Sequence, residues 1–355
     1  MKLFLKILLP VAVLAVLVTI YFNPMQGVDA STGATPSRNG NSVYHQSKTF
    51  SMNTGRLDVG GEVANPGPVD LETLYLHEVV VKETSNATDT AAFVGAYRYT
   101  GFSLLDLLNP FILQKKNESV FRPATDIYIE IENDKNEKVV FSWSEIFHVN
   151  KLHQVLIATG GSQIDPHKRK VEYPRTETWK LVAAGDLSNA RYLDNPVRVT
   201  VKTFDRKDYP IQRNMPSMYS PDVKLVAEGD FEHFLTEDTG SCSNKHETIF
   251  YGMGQGYHPV GSFEGRSLTG LLTGILDPTD LASQQKGLVC FAGLDGYRSI
   301  FSFSELFNRN DAVEAMIATA GNGVEGGKYR IFHPADFFAD RSVKSLSEIY
   351  FFQAD

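Results

Sequence analysis

The residues of this chain that could do chemistry are concentrated in one short stretch of its second half. Cys242 is flanked there by three histidines, His233, His246 and His258. Thiolates and imidazoles bind soft and borderline metal ions, so a Cys/His metal site can be drawn from these four side chains. Their spacing matches no compact zinc pattern, and surface or capping histidines are the favoured interpretation.

A glycine-rich segment, Gly252-Met-Gly-Gln-Gly256, follows Cys242. Glycine lets a backbone approach a phosphate group closely, which would suit a pterin or another phosphorylated ligand. Without a helix of the right kind after it, the segment is not a dinucleotide fingerprint, and an ordinary loop is the favoured interpretation. No P-loop, serine-hydrolase, zinc-protease or haem-attachment motif occurs, so the sequence predicts neither haem nor nicotinamide.

The chain has only two cysteines, Cys242 and Cys290. An exported location would permit a disulfide between them, but their spacing does not decide whether one forms. Cys290 lies in the apolar run 287–292, and we expect it to be a small buried residue on a core strand.

Three segments of the first half recur in the second half, in the same order and about 160 residues later. The pairs are Gly101–Leu108 with Gly265–Leu272, Phe141–Phe147 with Phe301–Phe307, and Leu156–Gly161 with Met316–Gly321. This period is too long for one solenoid repeat or one propeller blade, so it predicts two copies of a whole domain. A residue with a chemical role should then differ between the two copies, because the residues that both copies share form the scaffold.

Short strands and a few short helices predict an α+β fold in both copies. The predicted organisation is a signal peptide or membrane anchor at 1–30, a linker at 31–54, a first copy at 55–205, a second linker at 206–221 and a second copy at 222–355.

The N-terminus carries a targeting segment. Lys2 and Lys6 precede an apolar run from Ile7 to Phe22, whose length leaves a cleaved signal peptide and a membrane anchor both open. Positive residues before the run predict that the bulk of the chain lies outside the cytoplasm. The formal net charge of −8 argues against nucleic acid as a partner.

The ordered motifs resemble the molybdopterin-binding oxidoreductase domain of the sulfite oxidase superfamily. In the first copy they are Gly61-Glu-Val63, Pro66, Gly101-Phe-Ser-Leu104 and Ser144-Glu-Ile146. In the second copy they are Gly265-Arg-Ser-Leu268, Asp295-Gly-Tyr297, Ser304-Glu-Leu306 and Arg341-Ser-Val-Lys-Ser-Leu346. The resemblance covers nearly all of residues 55–353, and the order of the motifs is more specific than any one of them.

The resemblance implies a molybdenum–molybdopterin cofactor in the second copy. Cys242 would bind the metal, and Arg266, Arg341 and Lys344 would line a pocket for the cofactor phosphate and a small anionic substrate. A structural thiol or a disulfide is the alternative for Cys242. The alternative for Arg341 is a scaffold ion pair with Asp336, five residues earlier.

The same alternative holds in the first copy, where Arg191 follows Asp186 at the same distance. That copy contains no cysteine, so it is not expected to bind the metal in the family's way. Two functions therefore remain open. One is an exported or membrane-tethered molybdopterin oxidoreductase, and the other is a non-catalytic extracytoplasmic binding module that has lost the metal.

Overall fold

The computed structural model describes residues 49–85, 92–166, 171–215, 217–227, 231–235, 243–254, 256–272, 274–319 and 328–355. All of them belong to one compact unit, Tyr44–Asp355. The predicted N-terminal targeting segment lies outside the described residues. Within those residues no helix has the length and apolar character needed to span a membrane.

Among the described residues, twenty strands carry the fold. They are Thr49–Ser51 (β1), Asp58–Gly61 (β2), Gly67–Pro68 (β3), Leu76–Ser85 (β4), Ala92–Ser103 (β5), Ile127–Asn133 (β6), Lys138–Ser142 (β7), Val155–Gln163 (β8), Lys180–Ala183 (β9), Leu193–Asp194 (β10), Pro196–Thr203 (β11), Val223–Ala227 (β12), Phe231–Leu235 (β13), Ser243–Gly252 (β14), Gly256–Ser267 (β15), Gly287–Gly293 (β16), Arg298–Ser302 (β17), Met316–Thr319 (β18), Tyr329–Phe332 (β19) and Leu346–Gln353 (β20).

Five α-helices, none longer than six residues, interrupt the strands in the part of the chain that the structure describes. They are Leu104–Leu108 (α1), Trp143–Phe147 (α2), Leu268–Leu272 (α3), Leu281–Lys286 (α4) and Phe303–Phe307 (α5). Single turns of 3-10 helix occur at Leu71–Thr73, Ala124–Asp126, Asn189–Arg191 and Ala339–Arg341.

The strands form four sheets. Sheet S1 has the order β10-β9-β8-β5-β4, with β1 also paired to β8, and sheet S2 has the order β3-β2-β11-β6-β7. Sheet S3 has the order β13-β12-β20-β16-β17, and sheet S4 has the order β14-β15-β18-β19. The pairs β2–β11 and β12–β20 are parallel, and all the other strand pairs in these sheets are antiparallel.

The predicted α+β fold of two tandem sulfite-oxidase-like domains is wrong. Strands make up 48% of the described residues and helices 14%, and the strands pair into four sheets, so the described part of the chain is strand-rich and not α+β. The α-helices end after little more than one turn each. Their apolar residues, such as Leu104 of α1 and Leu268 of α3, belong to the buried cores, so they form no separate helical layer.

The sequence repeat nevertheless falls on equivalent elements. Strand β5 runs into α1 as β15 runs into α3, and β7 runs into α2 as β17 runs into α5. Helices α2 and α5 begin with the same capping box, in which Ser142 pairs with Glu145 and Ser302 with Glu305. We refer below to residues 49–205 as the first half and to residues 222–355 as the second half.

Each half has its own apolar core, and a third cluster joins the halves. The first core is built around Ile129, Phe141 and Leu181, and the second around Phe291 and Phe301. The joining cluster contains residues of both halves: Tyr128, Val140, Phe204, Leu288, Cys290, Ile300, Phe352 and Ala354. Burial of apolar area at this seam favours the association of S2 with S3.

Candidate functional site

The cysteines predicted for the metal and for the core have different outcomes. Cys242 lies outside the described residues, so its role as metal ligand remains a prediction, while Cys290 is a free thiol and forms no disulfide with it. Cys290 is fully buried on β16, which confirms that it is a small core residue. Its burial raises the pKa of the thiol well above the usual range, so a thiolate is disfavoured at this position.

Arg341, predicted for the anion pocket, is buried in a network of ion pairs. Its guanidinium donates to Asp336 Oδ2 at 3.0 Å and Oδ1 at 2.5 Å, and to both carboxylate oxygens of Glu305 at 2.8 and 2.9 Å. The guanidinium carbon lies 4.0 Å from the centre of the Phe301 ring. The scaffold alternative, a pair with Asp336, is therefore confirmed.

Arg191 makes the same contacts in the first half. It pairs with Asp186 at 2.7 Å and with Glu145 at 3.0 Å, and it lies 4.1 Å from the Phe141 ring. Burial raises the pKa of Glu145 to about 7, although Arg191 opposes the shift. The repetition of the whole arrangement shows that it belongs to the shared scaffold.

One contact of each arginine crosses between the halves. Arg191 Nη1 donates to Ser302 Oγ at 3.0 Å, and Arg341 Nη1 donates to Ser142 Oγ at 3.2 Å. The serine that caps a helix in one half thus accepts a hydrogen bond from the arginine of the other half.

The other two predicted pocket residues do not join Arg341. Lys344 is exposed and lines a cavity of about 390 Å³ in the second half, and neither Arg266 nor Arg341 lines that cavity. Arg266 lies on β15, where its backbone pairs with Ile317 of β18. The described residues therefore do not assemble the basic pocket expected for a molybdopterin phosphate, and we derive no chemistry through that cofactor.

A different cluster, which the sequence did not reveal, lies in the first half. Ligand atoms of His77, Asp106 and His153 all lie within 4.8 Å of one another, and no other metal-type cluster occurs among the described residues. His77 Nε2 is 2.6 Å from Asp106 Oδ2, and His153 Nδ1 is 3.9 Å from the same oxygen. The two imidazole rings are stacked, with centroids 3.9 Å apart and planes 11° from parallel.

Three separate elements bring these side chains together. His77 lies at the start of β4, Asp106 in the middle of α1, and His153 in the loop between α2 and β8. Gly101 of β5 is the backbone partner of His77, and it pairs closely with β8 because a Cβ there would collide with the Ile157 carbonyl oxygen. This close approach of β5 to β8 determines the position of the part of sheet S1 that carries the cluster.

His153 has an unusual backbone conformation. Its φ angle is +60°, in the left-handed region that residues other than glycine seldom occupy. Ser103 Oγ lies 2.9 Å from its Nδ1 and also accepts the Leu105 N–H at 3.2 Å, so the serine that begins α1 contacts the imidazole ring. Burial and the neighbouring His77 lower the pKa of His153, which favours the neutral imidazole needed for metal binding.

The cluster is partly open to solvent. About a quarter of the side-chain surface of His77 and of Asp106 is exposed, and about a third of that of His153. Two imidazoles and one carboxylate with an open side can hold a divalent transition-metal ion and leave a position for water.

The histidines predicted around Cys242 do not converge among the described residues. His233 lies on β13 of sheet S3 and His246 on β14 of sheet S4, while the side chain of His258 is not described. No compact spacing marks His77, Asp106 and His153, because 29 residues separate the first pair in the chain and 47 the second.

No protein-family model matches the chain, and no curated protein matches it. Among solved structures, the chain is similar to the sulfane dehydrogenase SoxCD from Paracoccus pantotrophus, with 11% sequence identity and a TM-score of 0.30 over 91% of this chain and 95% of that chain. A likeness of this strength carries no argument about function. The resemblance to the sulfite oxidase superfamily accordingly remains a prediction.

Proposed function

We propose that this protein is an extracytoplasmic binding protein that holds a divalent transition-metal ion through His77, Asp106 and His153. The observation that carries the proposal is the convergence of three ligand atoms from three elements within 4.8 Å. The location outside the cytoplasm is supported by the charge pattern around the apolar run Ile7–Phe22.

The distances in the cluster suit a small ion after a minor adjustment. A tetrahedral zinc ion with bonds of about 2.0–2.2 Å holds its ligand atoms about 3.3–3.6 Å apart. The observed separations of 2.6 and 3.9 Å from Asp106 Oδ2 lie on either side of that range. Imidazole nitrogens favour zinc, copper or nickel over calcium and magnesium, which prefer all-oxygen sites.

The competing interpretation is a hydrogen bond between His77 and Asp106 with no metal. That bond explains one pair, but it does not explain why a second imidazole stacks on the first at 3.9 Å. A bound ion accounts for both features, because it would bring two imidazoles and one carboxylate to a single point.

The experiment is a metal titration of the tag-free protein, stripped with a chelator, using isothermal calorimetry with Zn²⁺, Cu²⁺ and Ni²⁺. We expect one site per chain. Asp106→Asn and His153→Gln should each weaken binding at least 10-fold, because each removes one of three ligands. His246→Asn, which changes a histidine on β14 of the second half, is the control and should bind like the parent protein.

Equal affinities in the parent, Asp106→Asn and His153→Gln would refute the proposal. Elemental analysis of the protein purified from a host that makes molybdopterin separates it from the oxidoreductase alternative. Stoichiometric molybdenum and pterin that disappear in Cys242→Ser would support that alternative.

A further inference from the structure

The hairpin of β14 and β15 in the second half exposes a group of apolar side chains. Ile249 and Val260 are direct cross-strand partners, and they are 59% and 66% exposed. Residues that face each other across an antiparallel pair point to the same side, so these two side chains lie together. Met253, in the turn, is 51% exposed, and the ring of Tyr251 lies 5.8 Å from the exposed ring of Phe337. Apolar side chains grouped in this way mark an interaction surface.

The same hairpin lacks charge. Residues 248–263 contain no Asp, Glu, Lys or Arg, whereas 16 residues of the average composition of this chain, which is 21% charged, would contain about three. The equivalent stretch of the first half, residues 81–99, contains four charged residues: Lys82, Glu83, Asp89 and Arg98. The two halves therefore differ in the charge of this hairpin.

One aligned position shows the difference directly. The strand pairing at Gly101 and Gly265 aligns Ile249 of β14 with Lys82 of β4. Lys82 is exposed as well, so the same surface position has a charged side chain in one half and an aliphatic one in the other. Lysine on an edge strand opposes apolar contacts with other molecules, and the second half does not have this protection.

The outer part of the hairpin has only two strands among the described residues. Strand β15 pairs with β18 at Gly265–Ser267, and β14 is the edge strand of S4. The inner part packs on S4 through Phe263, whose ring is stacked on that of Phe332 at 4.4 Å. A two-stranded hairpin is marginally stable in water by itself. The end with Met253 therefore gains more from burial in a further apolar phase than a strand inside a sheet would.

We propose that the end of this hairpin, residues 248–260, inserts into the interface of an uncharged lipid bilayer. Burial of exposed aliphatic side chains supplies the attraction, and tyrosine side chains suit the boundary between headgroups and acyl chains. Because residues 248–263 carry no charge, no charged side chain of this stretch has to leave water. Protein interfaces, the competing choice, have a polar rim and are enriched in arginine, which this stretch lacks.

The predicted location of the chain brings a membrane within reach. The apolar run Ile7–Phe22, with Lys2 and Lys6 before it, is expected to carry the chain to the outer side of a membrane. Anionic headgroups attract clusters of basic residues, and the stretch 248–263 has none. A zwitterionic lipid such as phosphatidylcholine is therefore the favoured surface.

The test is the quenching of tryptophan fluorescence by brominated phosphatidylcholine, with the full chain on vesicles. Met253→Trp places an indole in the turn of the hairpin. Trp143 and Trp179 of the parent protein are buried in the first half, so bromine in the lipid should leave their emission unchanged. The emission that Met253→Trp adds should fall by about 2-fold or more, because an interfacial element buries its apolar side chains about 5–10 Å deep, within reach of the bromine atoms.

Lys82→Trp is the matched control, because it places an indole at the aligned position of the first half, and its emission should not respond to the brominated lipid. Ile249→Lys, added to Met253→Trp, gives the second half the residue of the first and should reduce the quenching to less than half. Both positions are exposed, and thermal unfolding shows whether the variants fold. If Ile249→Lys does not fold, the comparison of Met253→Trp with Lys82→Trp still decides. Every variant has the same N-terminal segment, so the comparison does not depend on whether that segment enters the bilayer.

Three results would overturn the proposal: no quenching in Met253→Trp, equal quenching in Lys82→Trp, or unchanged quenching in a folded Ile249→Lys variant. A dimer that forms without lipid and is lost in Ile249→Lys, measured by light scattering, would also overturn it, because the surface would then belong to a second copy of the chain. Ile249→Lys should bind Zn²⁺ like the parent protein, so failure here is distinguishable from failure of the metal site.

Discussion

The two halves have different side chains at the same place in the fold. In the first half, β4, α1 and the loop before β8 bring His77, Asp106 and His153 together. In the second half, the matching positions are Asn244, Gly270 and Val313, because Asn244 pairs with Gly265 as His77 pairs with Gly101. The backbone frame is common to both, since Gly101 and Gly265 each lie against a carbonyl of the neighbouring strand. The first half therefore has two imidazoles and a carboxylate where the second half has none of these groups.

The network of buried arginines shows the opposite behaviour. Arg191 and Arg341 keep the same partners, the same aromatic contact and the same crossed serine. What both halves retain is scaffold, and what only one half has is a candidate for chemistry. By this criterion Arg341 belongs to the scaffold, and the cluster of His77, Asp106 and His153 is the candidate functional site.

The largest expected effect tests whether the two arginines are equivalent. Arg191→Met and Arg341→Met each leave two buried carboxylates without their cation, which should cost about 3–5 kcal/mol of unfolding free energy. Urea unfolding of both variants measures the loss. A loss below about 1 kcal/mol at Arg341 alone would break the equivalence and return this residue to the list of ligand-binding candidates.

The next effect tests the shared backbone frame. Gly101→Ala and Gly265→Ala place a Cβ against the carbonyl oxygens of Ile157 and Ile317, and the strands must shift to admit it. We expect each to lose about 2–3 kcal/mol. Gly60→Ala, which meets no atom within 4 Å, is the control and should be close to neutral in the same unfolding assay.

A smaller effect depends on pH and distinguishes the halves. Burial, assisted by Arg341, lowers the pKa of His148 to about 4, while the second half has Asn308 at this position. Since the folded state favours the neutral ring, this contribution to stability is complete above about pH 6.5 and is lost as the pH falls toward 4.

We therefore expect the parent protein to lose about 1–2 kcal/mol more than His148→Asn between pH 7 and pH 4.5. Unfolding in urea at the two pH values gives the difference. Identical pH dependence in both proteins would contradict a buried neutral imidazole.

The smallest effect concerns the capping serines. Ser142→Ala and Ser302→Ala each remove a helix cap and the acceptor for the arginine of the other half. We expect about 1 kcal/mol for each, and the same value for both within error. Clearly unequal losses in urea unfolding would show that the crossed contacts are not equivalent.

The sequence was informative about local structure. The alternating run Asp126–Ile131 followed by turn residues and Lys138–Phe141 predicts a hairpin, which β6 and β7 form, and Ser142-Trp-Ser-Glu145 predicts a helix start, which α2 provides with a capping box. Such elements depend on neighbouring residues, whose periodicity and capping are visible in the chain.

The fold class was not predictable in the same way. It depends on which strands pair across long separations, as β5 does with β8 and β11 with β2, and on how soon each helix ends. Hydrophobic periodicity carries no information about these pairings. The site was hidden for the same reason, because His77 and His153 meet only after β4, β5 and β8 have formed one sheet. Comparison of the copies at positions 77, 106 and 153 was the signal that could have exposed it.

The crossed serine contacts have a consequence for how the molecule holds together. In a symmetric dimer, residue i of one subunit contacts residue j of its partner, and the reverse contact follows from the two-fold axis. Ser142 with Arg341 and Ser302 with Arg191 reproduce that isologous pattern inside one polypeptide. Because the two halves are covalently linked, their association does not depend on protein concentration. Each half can also change its residues without a matching change in the other half.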